Sequence, residues 1–132
     1  MDRADLDLHF EYERAQLLDE AGRPAEAARV LVTVLDAEPG NADVRLRLAL
    51  AYFRSAQLRQ AEEQLRVLVD RDPSDHYAHH VLGRTLERLN RPVEALPHLR
   101  LARAMCDEPA YAAAVERVEG RLGTDPPPDP PA

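Results

Sequence analysis

The sequence predicts an all-α fold. Three consecutive helix–turn–helix units stack as a solenoid, and a seventh helix closes the stack. Three observations predict this. First, Ala and Leu supply much of a 45% hydrophobic content, Trp is absent and only 5% of the 132 residues are aromatic. Such a composition favours helix over strand. Second, residue types recur at a fixed step of 34: Ala27, Ala61 and Ala95; Leu31, Leu65 and Leu99; Ala15, Ala49 and Gly83; Leu18, Tyr52 and Leu86; Pro39 and Pro73. A constant period marks an array of one repeated unit. Third, the cassette Gly22-Arg23-Pro24-Ala25-Glu26-Ala27 returns as Asn90-Arg91-Pro92-Val93-Glu94-Ala95. Gly and Asn best tolerate the left-handed backbone that ends a helix, and Pro suits the first turn of the next one.

Each element follows from local signals. The first pair is expected at Leu6–Ala21 and Ala25–Asp36, joined through Gly22. The second is expected at Ala42–Ser55 and Leu58–Asp70. Its turn, Ala56-Gln57, keeps the spacing without Gly or Pro and is therefore less strongly specified. The third is expected at His76–Leu89 and Pro92–Met105. Asn41 and Asp75 stand at equivalent N-cap positions after Pro39 and Pro73. The period then slips: Asp107 replaces the expected Pro and Pro109 comes two residues late, which implies a lengthened helix or a looser turn. Tyr111, Val115, Val118 and Leu122 form one apolar stripe at helical spacing. Ala110–Leu122 therefore reads as a capping helix, with Glu116, Arg117, Glu119 and Arg121 on its polar side. Thr124–Ala132 is too proline-rich to fold and reads as a disordered, polyproline-like tail.

These residues resemble the tetratricopeptide repeat (TPR), whose pattern is W-x2-L-G-x2-Y, then A-x3-F, then P. The third copy gives His79-x2-Leu82-Gly83-x2-Leu86 and Ala95-x3-Leu99. The second gives Arg45-x2-Leu48-Ala49-x2-Tyr52, Ala61-x3-Leu65 and Pro73. The first gives Glu11-x2-Arg14-Ala15-x2-Leu18, Ala27-x3-Leu31 and Pro39. Only Tyr52 keeps an aromatic column, and Arg14 stands where Leu is usual, so its charged end must reach the surface. The resemblance implies a domain over residues 1–122, with repeats at about 8–41, 42–75 and 76–109 and a cap at about 110–122. It also implies a right-handed superhelix whose concave groove is lined by the first helix of each pair.

On the family's groove positions the first copy places His9, Tyr12, Gln16, Asp19 and Glu20. The second places Asp43, Leu46, Leu50, Phe53 and Arg54, and the third Tyr77, His80, Arg84, Glu87 and Arg88. The binding set expected from these is Tyr12, Gln16, Leu46, Leu50, Phe53, Arg54, Tyr77, His80, Arg84 and Arg88. Leu46, Leu50 and Phe53 make a second apolar stripe on a helix that already has a core face. Arg84 and Arg88, one turn apart, suit a carboxylate. The expected partner is thus a protein or peptide with apolar and acidic groups. The clamp by which some TPR domains grip acidic chaperone tails is broken, because its positions hold Tyr12 and Gln16, Leu46 and Leu50, and His80 and Arg84.

Charge and composition exclude other classes. Seventeen basic residues, all Arg, oppose twenty-four acidic ones, a net of −7, which disfavours nucleic acid. The Arg-only usage resembles a high-GC, actinobacterial-like genome. Residues 1–22 carry seven acids and two Arg, whereas residues 75–104 carry three acids and five Arg. Ends of opposite sign point to weak, salt-sensitive homo-oligomers, the alternative being a self-assembling structural protein. No apolar run is long enough to span a membrane, and the acidic start lacks a signal core, so the expected location is cytoplasmic. One Cys, Cys106, allows no internal disulfide and has no catalytic partner at a recognisable spacing. His76, His79 and His80 have metal-ligand spacing without a matching second set, so His79 reads as a wedge between helices. His98 reads as packing or solvation. The five Gly form no phosphate loop. No catalytic residue, cofactor or metal is expected.

Overall fold

A computed structural model describes residues 3–123, with side chains from residue 7 onward. The Pro-rich tail, Thr124–Ala132, lies outside the described residues. Seven helices are present among the described residues: α1 (Arg3–Glu20), α2 (Pro24–Ala37), α3 (Ala42–Arg54), α4 (Leu58–Arg71), α5 (His76–Arg88), α6 (Pro92–Met105) and α7 (Pro109–Arg121). No strand occurs among the described residues. The helices divide at Pro73/Ser74 into two compact units, α1–α4 and α5–α7.

In the first unit successive helices pack on one another. Ala15 and Ala27 (2% and 0% exposed) let α1 and α2 approach closely, and Leu31, Val34, Leu35, Val44 and Leu48 fill the core. On α4 the contact face reduces to Ala61, Leu65 and Leu68. Arg14 reaches the surface and pairs with Glu11 at 3.1 Å. In the second unit α5 and α7 both pack on α6. Leu82, Leu86, Leu99, Val115 and Val118 are fully buried there. The column that holds Ala15 and Ala49 holds Gly83 here, for a steric reason. A Cβ on Gly83 would fall 2.5 Å from both Cγ and Cδ2 of Leu99 and 3.2 Å from the Ala95 carbonyl oxygen.

The turns inside the three pairs share one geometry although their sequences differ. Gly22, Ala56 and Asn90 all take left-handed φ values of 74°, 61° and 62°. The next amide then reaches back to close the helix end: Arg23 N–H to Leu18 O at 2.8 Å, Gln57 N–H to Tyr52 O at 2.8 Å, Arg91 N–H to Leu86 O at 2.9 Å. This is the Schellman closure. Gly pays nothing for it and Asn little, but Ala56 pays about 1 kcal/mol. Between pairs, the Asn41 side chain accepts from Val44 N–H at 3.1 Å and the Asp75 side chain from Ala78 N–H at 3.0 Å. Both are N-caps. The slipped period after α6 resolves as a looser turn. Cys106 and Glu108 are extended, while α6 keeps the 14-residue length of α2 and α4. Pro97 is exposed and does not break α6.

Candidate functional site

In the first unit the expected groove residues gather where α1 faces α3. The Tyr12 hydroxyl donates to Asp43 at 2.7 Å, and the Arg47 guanidinium sits 5.3 Å above the Tyr12 ring. Burial, and then the bond to Asp43, hold the Tyr12 hydroxyl above its ordinary pKa. One turn on, Gln16, Asp19, Arg47, Leu50 and Arg54 line a cleft of about 110 Å³. Its floor is Ala15, Ala27, Leu31 and Ala51, so the small residues that let the helices pack also leave room above them. Arg54 donates to Asp19 across the cleft at 2.7 Å. Leu46, Leu50 and Phe53 are each half-buried. Arg47 was not singled out from the sequence. Its one-turn spacing from Asp43 was the available signal.

In the second unit Tyr77, Arg84 and Arg88 are exposed. His80 is not: 6% of it is accessible, and its ring stacks on Tyr111 of α7 with centroids 4.5 Å apart. The expectation of an open groove position at His80 therefore departs from the structure, because α7 covers it. Burial, followed by the charges of Arg84 and Arg117, pushes the His80 pKa down to about 4, against a smaller opposing effect of Glu87. The ring is neutral at physiological pH, and its Nδ1 has no hydrogen-bond partner. Glu87 is committed elsewhere. It accepts two hydrogen bonds from Arg117, both at 2.7 Å, and these hold its carboxyl below the usual carboxylate range.

The polar side chains of α7 do more than face solvent. Arg117 grips Glu87, Arg121 donates to the Glu87 carbonyl at 3.1 Å and to the Asn90 side chain, and Glu119 accepts from Arg100 of α6 at 3.1 Å. The Tyr111 hydroxyl meets a ring nitrogen of His76 at 2.8 Å. Together these contacts clasp α7 onto α5 and α6. His79 stacks against His98 with the two Nδ1 atoms 3.1 Å apart, a wedge between α5 and α6. Among the described residues no three His, Cys, Asp or Glu converge as metal ligands. No described helix is long and apolar enough to cross a membrane.

A family model described as Tetratricopeptide repeat matches residues 20–85. A search of curated proteins finds no significant match. Among solved structures, the first TPR of Spaghetti (RPAP3), bound to the HSP90 peptide SRMEEVD, superimposes with a TM-score of 0.81 at 20% identity. That match covers 88% of this chain and 93% of that one. The Arabidopsis OM64 TPR domain gives 0.79 at 18% identity, covering 86% and 95%. MamA (41-end) from Desulfovibrio magneticus RS-1 gives 0.83 at 19% identity, and the match spans 88% of this chain but 66% of that one. At these identities the likeness is one of fold.

Proposed function

The chain belongs to the tetratricopeptide repeat family, a protein-interaction scaffold, and on that premise we propose a non-catalytic module that seats a partner peptide or helix against the first helices of its repeats. The observation that carries this reading is the α1–α3 cleft. There Gln16, Leu50 and Arg54, with Asp19 and Arg47, converge above an apolar floor that the core does not fill. The proposed contact set is Tyr12, Gln16, Leu46, Leu50, Phe53 and Arg54 in the first unit and Tyr77, Arg84 and Arg88 in the second. His80 takes a supporting place behind them, bearing on Tyr111. The first unit suits an apolar partner segment, through the half-buried leucines and Phe53; the second, taken by itself, suits an acidic group, through the α5 arginines. Repeats at 8–41, 42–75 and 76–109 with a cap at 110–122 remain the proposed division. A cytoplasmic setting is part of the same reading.

The test selects peptides from a displayed random library on the full chain. Selected peptides are expected to lose at least tenfold affinity for Phe53→Glu, with helical circular dichroism unchanged. Undiminished binding to the folded variant would remove the groove assignment. Self-association is a second reading, favoured by one observation. Phe10 and Leu17, two turns apart on α1, are 64% and 66% exposed. Light scattering over a range of protein and salt concentrations decides it, and a monomer throughout sinks it.

A further inference from the structure

At the α2–α3 turn two cations converge on one neutral acceptor. The Pro39 carbonyl oxygen accepts from Arg45 Nη2 at 2.9 Å and from Arg71 Nη1 at 3.0 Å. Arg45 Nη1 also donates to Gln64 Oε1 at 2.6 Å. Arg45 is only 9% exposed, and its Nε has no partner. Pinning the turn accounts for the first bond from each arginine. It does not account for the exposed Arg71 guanidinium being held beside the buried one of Arg45, against a carbonyl and an amide that supply only partial negative charge. A buried guanidinium such as that of Arg45 ordinarily finds a carboxylate.

Acids are not scarce in this unit: residues 1–73 hold fifteen Asp and Glu against ten Arg. Among the described residues none of those acids bonds either Arg45 or Arg71. Glu38 accepts from the Asn41 side chain at 2.9 Å, and Glu62 pairs with Arg66 at 2.8 Å. Burial, then the repulsion of Arg71, disfavours the charged form of Arg45, with no opposing carboxylate. Each guanidinium has five N–H groups in a fixed fork. Arg45 uses two of them and Arg71 one. Arg45 Nε is sealed inside, and the donors that remain, above all those of the exposed Arg71, suit a bidentate oxyanion.

We propose that Arg45 and Arg71 form an oxyanion-binding site at the α2–α3 turn, selective for carboxylate or phosphate. The site is separate from the α1–α3 cleft and does not depend on the function proposed for it. Its ligand supplies the negative charge that the fold withholds.

The experiment follows the Arg Nε–H resonances of the full ¹⁵N-labelled chain during titration with sodium phosphate, and separately with sodium acetate. Sodium chloride at matched ionic strength is the reference. The expected result is a saturable, millimolar-range shift of the Arg45 and Arg71 signals. In Arg71→Gln the apparent affinity falls at least tenfold, while Arg66→Gln, a charge-matched change on the same helix, leaves it unaltered. Saturation by phosphate alone assigns a phosphate site; saturation by both assigns an oxyanion site that also takes carboxylates. Shifts that follow ionic strength alone, or that survive Arg71→Gln, overturn the proposal. Should Arg71→Gln not fold, the wild-type comparison of phosphate with chloride decides by the same criterion.

Discussion

Replacing Gly83 with Ala sets two effects of opposite sign against each other on one methyl group. Within a helix, Ala in place of Gly stabilises by about 0.5–1 kcal/mol, because Gly loses more backbone entropy on folding. The new Cβ would lie 2.5 Å from Leu99 Cγ and Cδ2. Carbon atoms in contact prefer about 3.5–4.0 Å, so the overlap is about 1 Å or more. Leu99 is fully buried and Cγ is not the free end of its side chain, while the Ala95 carbonyl blocks a second direction at 3.2 Å. Relief therefore requires α5 and α6 to move apart. Overpacking of this kind costs about 1–3 kcal/mol. The clash exceeds the propensity gain, and the variant is expected to be about 1–2 kcal/mol less stable. Urea unfolding followed by circular dichroism measures it. A double-mutant cycle with Leu99→Ala isolates the cause: removing the Leu99 side chain should cost at least about 1 kcal/mol less in the Gly83→Ala background. A Gly83→Ala protein as stable as wild type, or an additive cycle, refutes the steric account.

Two further outcomes follow from other positions. Ala56→Gly should stabilise the protein by about 0.5–1 kcal/mol, since the left-handed φ of 61° costs Ala but not Gly; a loss of stability on urea unfolding would contradict this. His80 binds its proton more weakly in the folded protein (pKa about 4) than at its ordinary value of 6.5, so its contribution is complete above pH 6.5 and is lost as pH falls towards 4. Between pH 7 and pH 4.5 the wild type should lose stability, on the order of 2 kcal/mol, that His80→Phe keeps; equal losses would remove the role given to His80.

The local parts of this fold were legible because their causes are local. The N-caps at Asn41 and Asp75 and the prolines that open α2, α6 and α7 act within about five residues of themselves, and the 34-residue columns act between the two helices of one pair. Those signals place the helices to within a few residues; α1 begins at Arg3 rather than Leu6. The turn at Ala56 was expected from its spacing to be similar to the other two, but its left-handed conformation was only weakly specified, since the residue type argues against it and the geometry of its neighbours imposes it. The burial of His80 was not legible. Periodicity says which face of α5 a residue occupies, but not that Tyr111, thirty-one residues later, covers that face. The grip of Arg117 on Glu87 and the convergence of Arg45 and Arg71 on Pro39 have the same origin. Arg117 meets Glu87, and Arg71 meets the Pro39 carbonyl, across sequence gaps of about thirty residues.

Ala56 bears finally on when the molecule comes apart, as well as on how firmly it holds. The strain in its backbone exists only while α3 and α4 are joined through that turn, and it is released as soon as they part. Of the three turns, this one alone gains from opening. Opening the α3–α4 turn is thereby easier by about 1 kcal/mol than it would be with Gly at position 56.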